Sequence, residues 1–194
     1  LSSKVSGDDA TLLYVVNTCA VTQKAEQKAR RIIRLILKTF PKASVLVTGC
    51  YAQLRPAEIQ EMDPRVAVLQ GQLKSRIEFT PQILADCITR EEPWDPVKFS
   101  AHLTKELQAI PVTKPGFPEN SFRLATDSYI AHSRSSLKIQ DGCNNNCSYC
   151  TINKARGHSV SLDVQTVLER VKQLEKSGQA EIVITTVNIG QYKG

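Results

Sequence analysis

The sequence predicts an α/β protein with two patterned regions: an N-terminal parallel α/β sheet domain over 1–90 and the opening βαβ unit of a barrel-like α/β domain over 135–194, joined by a linker over 91–134. Three observations carry this reading. Short β-branched and aliphatic runs alternate with stretches of helical period, the pattern of strands joined by helical crossovers. The run Thr11 to Asn17 is continuously apolar and β-branched, as in a parallel strand covered on both faces. Five of the nine prolines (Pro93, Pro96, Pro111, Pro115 and Pro118) fall between Glu91 and Asp127, where the hydrophobic residues show no period.

Thr11 to Asn17 (TLLYVVN) reads as a buried parallel strand. Ala20 to Thr39 follows with helical spacing and sets Ala25, Ala29, Ile32, Ile33, Ile36 and Leu37 on one face; Pro41 stops it. Ser44 to Thr48 is a second strand, and Pro56 to Met62 a short helix with proline in its first turn. Val66 to Leu69 is a third strand, and Leu73 to Ile88 is helical with an interruption at Pro81. The linker has at most local order around Trp94 and Phe99. Beyond it, Leu137 to Gln140 is a strand. Ser161 is the expected N-cap of a helix from Leu162 to Lys176, with Val164, Val167, Leu168, Val171 and Leu174 facing inward, and Gly178 ends it. Glu181 to Val187 is the last strand. One βαβ unit cannot close a core alone, so the chain is expected to continue past Gly194.

Composition narrows the class. Hydrophobic residues at 41% and charged residues at 23% suit a soluble protein. No apolar run approaches the ~18 residues of a membrane span, and the first nine residues have no apolar core of a signal peptide. The net charge of +6, from 25 basic and 19 acidic residues, permits an anionic partner such as RNA without requiring one. The six cysteines lie largely in motifs that need free thiolates, which favours a reducing, cytoplasmic setting.

Cys143, Cys147 and Cys150 stand as Cys-x₃-Cys-x₂-Cys in the run LKIQDGCNNNCSYC. Three thiolates on one tight loop can hold three irons of a [4Fe–4S] cluster and leave the fourth open to a small molecule. A structural cluster usually has four cysteines, and a structural zinc site four ligands. Gly142 can supply the positive φ that starts the loop. The alternative is a zinc knuckle with His132 or His158 as fourth ligand, although this spacing is uncommon for zinc. Cys19 ends the first strand (VNTCAVT) and Cys50 the second (VTGCYAQ), both at the carboxyl edge where open α/β sheets place ligands. The two are neighbouring thiolates or simply two small buried residues. Cys87, in an apolar helical pattern, reads as a core residue. The helix bearing Lys24, Lys28, Arg30, Arg31, Arg34 and Lys38 presents either a phosphate-binding or merely a solvated face.

The cysteine loop resembles the signature of radical-SAM enzymes. Together with Asn17-Thr-Cys19, Thr48-Gly-Cys-Tyr-Ala-Gln53, the Lys24-to-Lys38 helix, the Gly71-to-Ile77 segment, Ala155-Arg-Gly157 and Val187-Asn-Ile-Gly190, it resembles one family specifically, the radical-SAM methylthiotransferases. That resemblance implies an auxiliary-cluster domain followed by a radical-SAM partial (β/α) barrel. It implies two [4Fe–4S] clusters and S-adenosylmethionine. Cys143, Cys147 and Cys150 would ligate the cluster that cleaves the cofactor to a 5′-deoxyadenosyl radical. Cys19 and Cys50 would supply two of the three auxiliary-cluster thiolates. The third lies in an upstream Gly-Cys motif that this sequence lacks, so its N-terminus is expected to be incomplete. Tyr149 would pack near the cofactor's adenine, and Asn188 would also contact the cofactor. Arg156 would touch cofactor or substrate, or form a structural salt bridge. Asn153 replaces a proline often found in the family, and Thr186 a common glycine.

The implied activity is insertion of a methylthio group at C2 of N⁶-threonylcarbamoyl-adenosine beside the tRNA anticodon. The implied partners are the anticodon stem-loop of tRNA and an external electron donor, with no membrane involved. Isopentenyl-adenosine in tRNA and an aspartate of a ribosomal protein are the alternative substrates within the family. A metal-binding or redox-sensing module is the alternative outside it.

Overall fold

The computed structural model describes residues 11–89, 93–111, 121–122 and 134–194. The chain forms two compact units, Leu1–Thr113 and Lys114–Gly194.

The first unit contains β1 (Leu13–Thr18), α1 (Gln23–Thr39), β2 (Ser44–Gly49), α2 (Cys50–Leu54), α3 (Pro56–Gln60) and β3 (Val66–Val68). A 3₁₀ helix (Gly71–Phe79), α4 (Thr80–Ile88) and α5 (Pro96–Ala109) follow. The strands form one parallel sheet in the order β1-β2-β3. Successive side chains of a strand point to opposite faces, and both faces here are covered. Val45 and Val47 join Ala29, Ile33, Ile36, Leu37, Tyr51 and Ile59 on one side. Leu46 joins Leu69, Phe99, Leu103 and Leu107 on the other. This two-sided burial is why β2 is apolar along most of its length. Thr22 caps α1, its side chain accepting a hydrogen bond from the Ala25 amide at 3.1 Å.

Helix α5 corrects the expected linker over 91–134, because residues 96–109 of that stretch are a core helix of the first unit. Its apolar positions, Phe99, Leu103 and Leu107, recur every four residues, a stripe too narrow to stand out among flanking prolines. Pro96 opens the helix rather than breaking it. Asp95 is the N-cap and accepts hydrogen bonds from Val97 N at 2.8 Å and Lys98 N at 3.2 Å. Pro81 likewise lies in the first turn of α4, at the joint with the preceding 3₁₀ helix, and interrupts neither. Arg76, 2% exposed, donates to Leu107 O at 2.7 Å and so satisfies a carbonyl in the last turn of α5. Cys87, expected in the core, is half-buried beside the Leu46 cluster.

The C-terminal end of α1 is held from β3's side by Arg65. Its guanidinium donates to Leu37 O at 3.1 Å, Phe40 O at 3.3 Å and Pro41 O at 3.0 Å, and pairs with both carboxylate oxygens of Asp63. These bonds satisfy carbonyls that the end of a helix leaves unpaired.

The second unit contains β4 (Ser135–Lys138), β5 (Gln140–Asp141), α6 (Ile152–Arg156), β6 (Val160–Ser161), α7 (Val164–Lys176), β7 (Ile182–Thr185) and a 3₁₀ turn at Ile189–Gln191. β4 and β7 pair in parallel, Ser135 opposite Ile182 through Lys138 opposite Thr185, with α7 in the crossover. β5 pairs antiparallel with β6. The fold is thus mixed α/β with parallel pairing in both units. The cap of α7 is Asp163 and not Ser161. Asp163 accepts from the Thr166 amide at 2.8 Å, whereas Ser161 lies in β6 opposite Gln140. Both residue types cap helices well, and the β5–β6 ladder decides between them. Of the five α7 positions expected to face inward, Leu174 alone is buried, while Val164 and Leu168 are each 49% exposed.

Truncating Leu103 to alanine, at a fully buried site on α5, should cost about 2–5 kcal/mol, read as a lower midpoint in urea unfolding. A true linker would show almost no change. Arg65 hydrogen bonding holds the Asp63 carboxyl below the usual carboxylate range, with burial opposing it. The folded-state value is therefore below the unfolded one. The pair's stabilisation is present above the ordinary carboxylate range and is lost as pH falls through the depressed folded value. Thermal unfolding from about pH 6 to pH 2 should show a smaller acid loss in Asp63→Asn than in the parent.

Candidate metal centre

The cysteine loop leaves β5 through Gly142, whose φ is +72°. A Cβ there would collide with the carbonyl oxygens of His158 and Gly157, so both backbone conformation and close approach require glycine. The first thiol's backbone is held on both sides. Cys143 N donates to Gly157 O at 3.0 Å, and the Asn153 side-chain amide donates to Cys143 O at 2.6 Å. Asn153, the residue that departs from the family's usual proline, thus anchors the loop. The Asn145 amide lies 3.4 Å from Cys143 Sγ, a hydrogen bond that a thiolate accepts well. Cys150 N donates to Cys147 O at 3.1 Å, closing a turn between the second and third thiols.

All three cysteines are free, with Cys147 exposed and the other two partly so. Three soft sulfur donors within eight residues suit an iron–sulfur cluster. Among the described residues no three His, Cys, Asp or Glu side chains converge as a metal site. The loop therefore supplies the donors and a fixed backbone rather than a closed cage. His158 engages Asn144 Oδ1 at 3.2 Å and joins no such group. His132 lies outside the described residues. Tyr149 is 89% exposed.

Two residues ahead of the loop frame it, and the sequence reading did not single them out. Asp141 accepts the Gly142 amide at 2.9 Å, pairs with Lys138 Nζ at 2.6 Å and with Arg156 at 3.0 Å. Burial pushes its carboxyl up, but the two cations outweigh burial and hold it below its usual range. Arg156 is therefore a salt-bridge partner. Gln140 is fully buried, and its side-chain amide bonds to the cysteine loop and to the turn after β7. No signal in the run LKIQ marked it, since Lys138 is polar there too. Asn188 caps the 3₁₀ turn, its side chain accepting from Gly190 N at 3.2 Å. Asn144 and Asn145 both bond Gln191, which joins the cysteine loop to that turn.

In the first unit, β1 and β2 run parallel with Thr18 opposite Gly49. Cys19 and Cys50 are the next residues on each chain, so both lie at the carboxyl ends of adjacent strands, Cys19 exposed and Cys50 partly buried. Thr18 Oγ1 donates to Thr48 O, tying the two strand ends together. Gly49 has φ +97°, and a Cβ there would strike Thr18 O, which explains glycine before Cys50. Tyr51, fully buried, donates its hydroxyl to Glu58 at 2.7 Å and accepts from Arg30 at 3.0 Å, fixing the helix that begins at Cys50.

Comparison with known proteins agrees with this layout. Residues 2–71 match the uncharacterized protein family UPF0004, and residues 137–193 match the radical SAM superfamily. The chain is 38% identical, over 221 aligned positions, to a threonylcarbamoyladenosine tRNA methylthiotransferase MtaB of Treponema pallidum, covering 94% of this chain and 46% of that protein. The protein of the same name from Bacillus subtilis is 33% identical, with 93% and 36% covered. A tRNA-2-methylthio-N(6)-dimethylallyladenosine synthase of Lawsonia intracellularis is 32% identical, with 97% and 39% covered. The chain spans less than half the length of these curated relatives. Matched by a family model in each unit and by such relatives along nearly all its length, the chain belongs to the radical-SAM methylthiotransferase family.

Proposed function

We propose that this chain carries the two metal-binding elements of an enzyme that inserts a methylthio group at C2 of N⁶-threonylcarbamoyl-adenosine in tRNA. The observation that carries the reading is the presence in one chain of an open three-thiol loop and a separate two-thiol sheet edge. Cys143, Cys147 and Cys150 would hold one [4Fe–4S] cluster. Cys19 and Cys50 would contribute to a second. Unreactive carbon–hydrogen bonds resist acids and bases, and the cluster with S-adenosylmethionine supplies the radical chemistry that replaces one. This chain's own residues do the positioning. Gly142, Asn153 and Asp141 fix the loop, Tyr149 offers an aromatic face to the cofactor's adenine, and Asn188 lines the adjoining turn.

The parallel β4–α7–β7 unit would open a partial (β/α) barrel, a reading supported by the exposed apolar residues Val164, Leu168, Val183 and Ile184 on it. The relatives named for threonylcarbamoyladenosine favour that base, and the relative named for dimethylallyladenosine supports the second reading. The partner would be the anticodon stem-loop, with an external reductant, in the cytoplasm. No helix among the described residues is long and apolar enough to cross a membrane.

A basic stripe on α1 would meet the RNA backbone. Lys24, Lys28, Arg31, Arg34 and Lys38 are exposed, make no ion pair among the described residues, and fall on one side of the helix over about 21 Å. Arg30 is excluded, because Glu26, Glu58 and Tyr51 already engage it.

The reading is tested on the whole protein, prepared anaerobically and reconstituted with iron and sulfide. Cys143→Ala should lose about four irons per chain and all 5′-deoxyadenosine formation. Cys19→Ala or Cys50→Ala should lose a similar amount of iron and the methylthio product, while cofactor cleavage persists. Zinc in place of iron, with no 5′-deoxyadenosine, would sink the enzyme reading. Nucleoside mass spectrometry on tRNAs bearing either modified adenosine identifies the base. For the stripe, the quadruple variant Lys24→Gln, Lys28→Gln, Arg31→Gln and Lys38→Gln should flatten the salt dependence of tRNA binding by ~0.7–0.9 in log–log slope for each phosphate no longer neutralised. An unchanged slope would make the face merely solvated.

A further inference from the structure

Gln140 is fully buried, a costly place for a primary amide unless every polar atom is bonded. Both ends are used. The Nε2 end donates to Gly142 O at 2.8 Å, to Ser159 Oγ at 2.8 Å and toward Asp141 O at 3.1 Å. The Oε1 end accepts from Val187 N at 2.9 Å and Asn188 N at 3.0 Å. One face of the amide therefore grips the start of the cysteine loop, and the other grips the turn that follows β7. These segments are about 45 residues apart in sequence. The O and N of the amide are assigned unambiguously by their partners, since two N–H groups meet one end and two carbonyls the other.

We propose that Gln140 is a positioning residue that sets the cysteine loop in register with the Val187–Asn188 turn, so that a cofactor held by the loop thiols is also met by that turn. The proposal rests on the function proposed above. A small molecule bound on an open metal of the loop gains from a second, fixed wall only if the two surfaces keep a constant separation. Gln140 supplies that constancy with one rigid planar group. Asn144 and Asn145, bonded to Gln191, add an outer bridge between the same segments, but both are exposed to water.

Two variants separate positioning from simple structural support. Gln140→Met keeps the length and loses every bond. Gln140→Glu keeps the acceptor end for Val187 and Asn188 and loses the paired amide donors. The first measurement is hydrogen exchange on the iron-free protein. Gln140→Met should speed exchange at both the 142–143 and the 187–188 amides, and Gln140→Glu mainly at 142–143, with the α7 amides unchanged in each. The second is S-adenosylmethionine binding to the reconstituted protein. The dissociation constant should rise about tenfold or more in Gln140→Met at unchanged iron content. A uniform rise in exchange across the unit, or cofactor affinity within about twofold of the parent, would overturn the proposal. A parent that takes up iron yet binds no S-adenosylmethionine would overturn the proposed function instead, and the exchange pattern would still decide whether Gln140 couples the two segments.

Discussion

In both units, parallel pairing brings the segments that leave the carboxyl ends of neighbouring strands to one edge, and each proposed iron ligand lies on such a segment. In the first unit the register of Thr18 opposite Gly49 makes neighbours of Cys19 and Cys50, which are 31 residues apart in the sequence. In the second, β4 and β7 pair in parallel, and the cysteine loop and the Asn188 turn follow them. Parallel strands need long crossovers, so α1 and α7 are the structural cost of this gathering. The apolar face of α1 also closes the core against β2, whereas α7 buries Leu174. Without the ladder Cys19 and Cys50 would be scattered; with it, their positions follow from the strand register.

The polar groups divide into two kinds with different physical roles. Around each site a buried or half-buried set is fully engaged. Asp141 balances Lys138 and Arg156, Gln140 satisfies both ends of its amide, and Tyr51 joins Arg30 and Glu58. Breaking any one of these leaves a polar group short of a partner in a poor solvent, which is what makes the arrangement specific. The thiols and Tyr149 are the opposite. Cys19, Cys147 and Tyr149 are exposed and Cys50, Cys143 and Cys150 partly so, and the sulfurs have no protein ligand set closed around them among the described residues. A hydrogen-bonded frame carrying accessible thiols is the division of labour that the proposed cofactor site requires.

Much of this was legible in the sequence because its signals were local. The three strands and α1 of the first unit follow from apolar runs and a helical period. Gly142 was legible as the positive-φ start of the loop, and the fold gives it φ +72°; the same requirement at Gly49 emerged only from the fold. The reading failed where competing local signals had to be settled by tertiary contacts. Helix α5 was hidden by prolines that, in the fold, sit before it or in its first turn, and by an apolar stripe only three residues long. Ser161 and Asp163 both qualify as caps, and the β5–β6 ladder takes the serine. Inward positions of α7 were inferred from period alone, yet burial needs a partner surface as well as a period. Val164 and Leu168 have the period without the surface.

Gln140 shows why a site frame is harder to read than a site. A cysteine announces its chemistry by type and spacing, whereas a glutamine in a strand is ordinarily a solvent-facing residue. Its role here depends on three segments arriving at one buried point: the loop start, Ser159, and the amides of Val187 and Asn188. None of these partners carries a distinctive side chain, and most of the bonds are to backbone. Such a residue can be found only once the fold is known. It also constrains the loop more tightly than the thiols' own spacing does, because spacing limits which sulfurs can share a metal but does not set how the loop stands relative to the rest of the sheet edge. The cysteine motif therefore sets which sulfurs can share a metal, and the buried amide sets how the loop stands against the Val187–Asn188 turn.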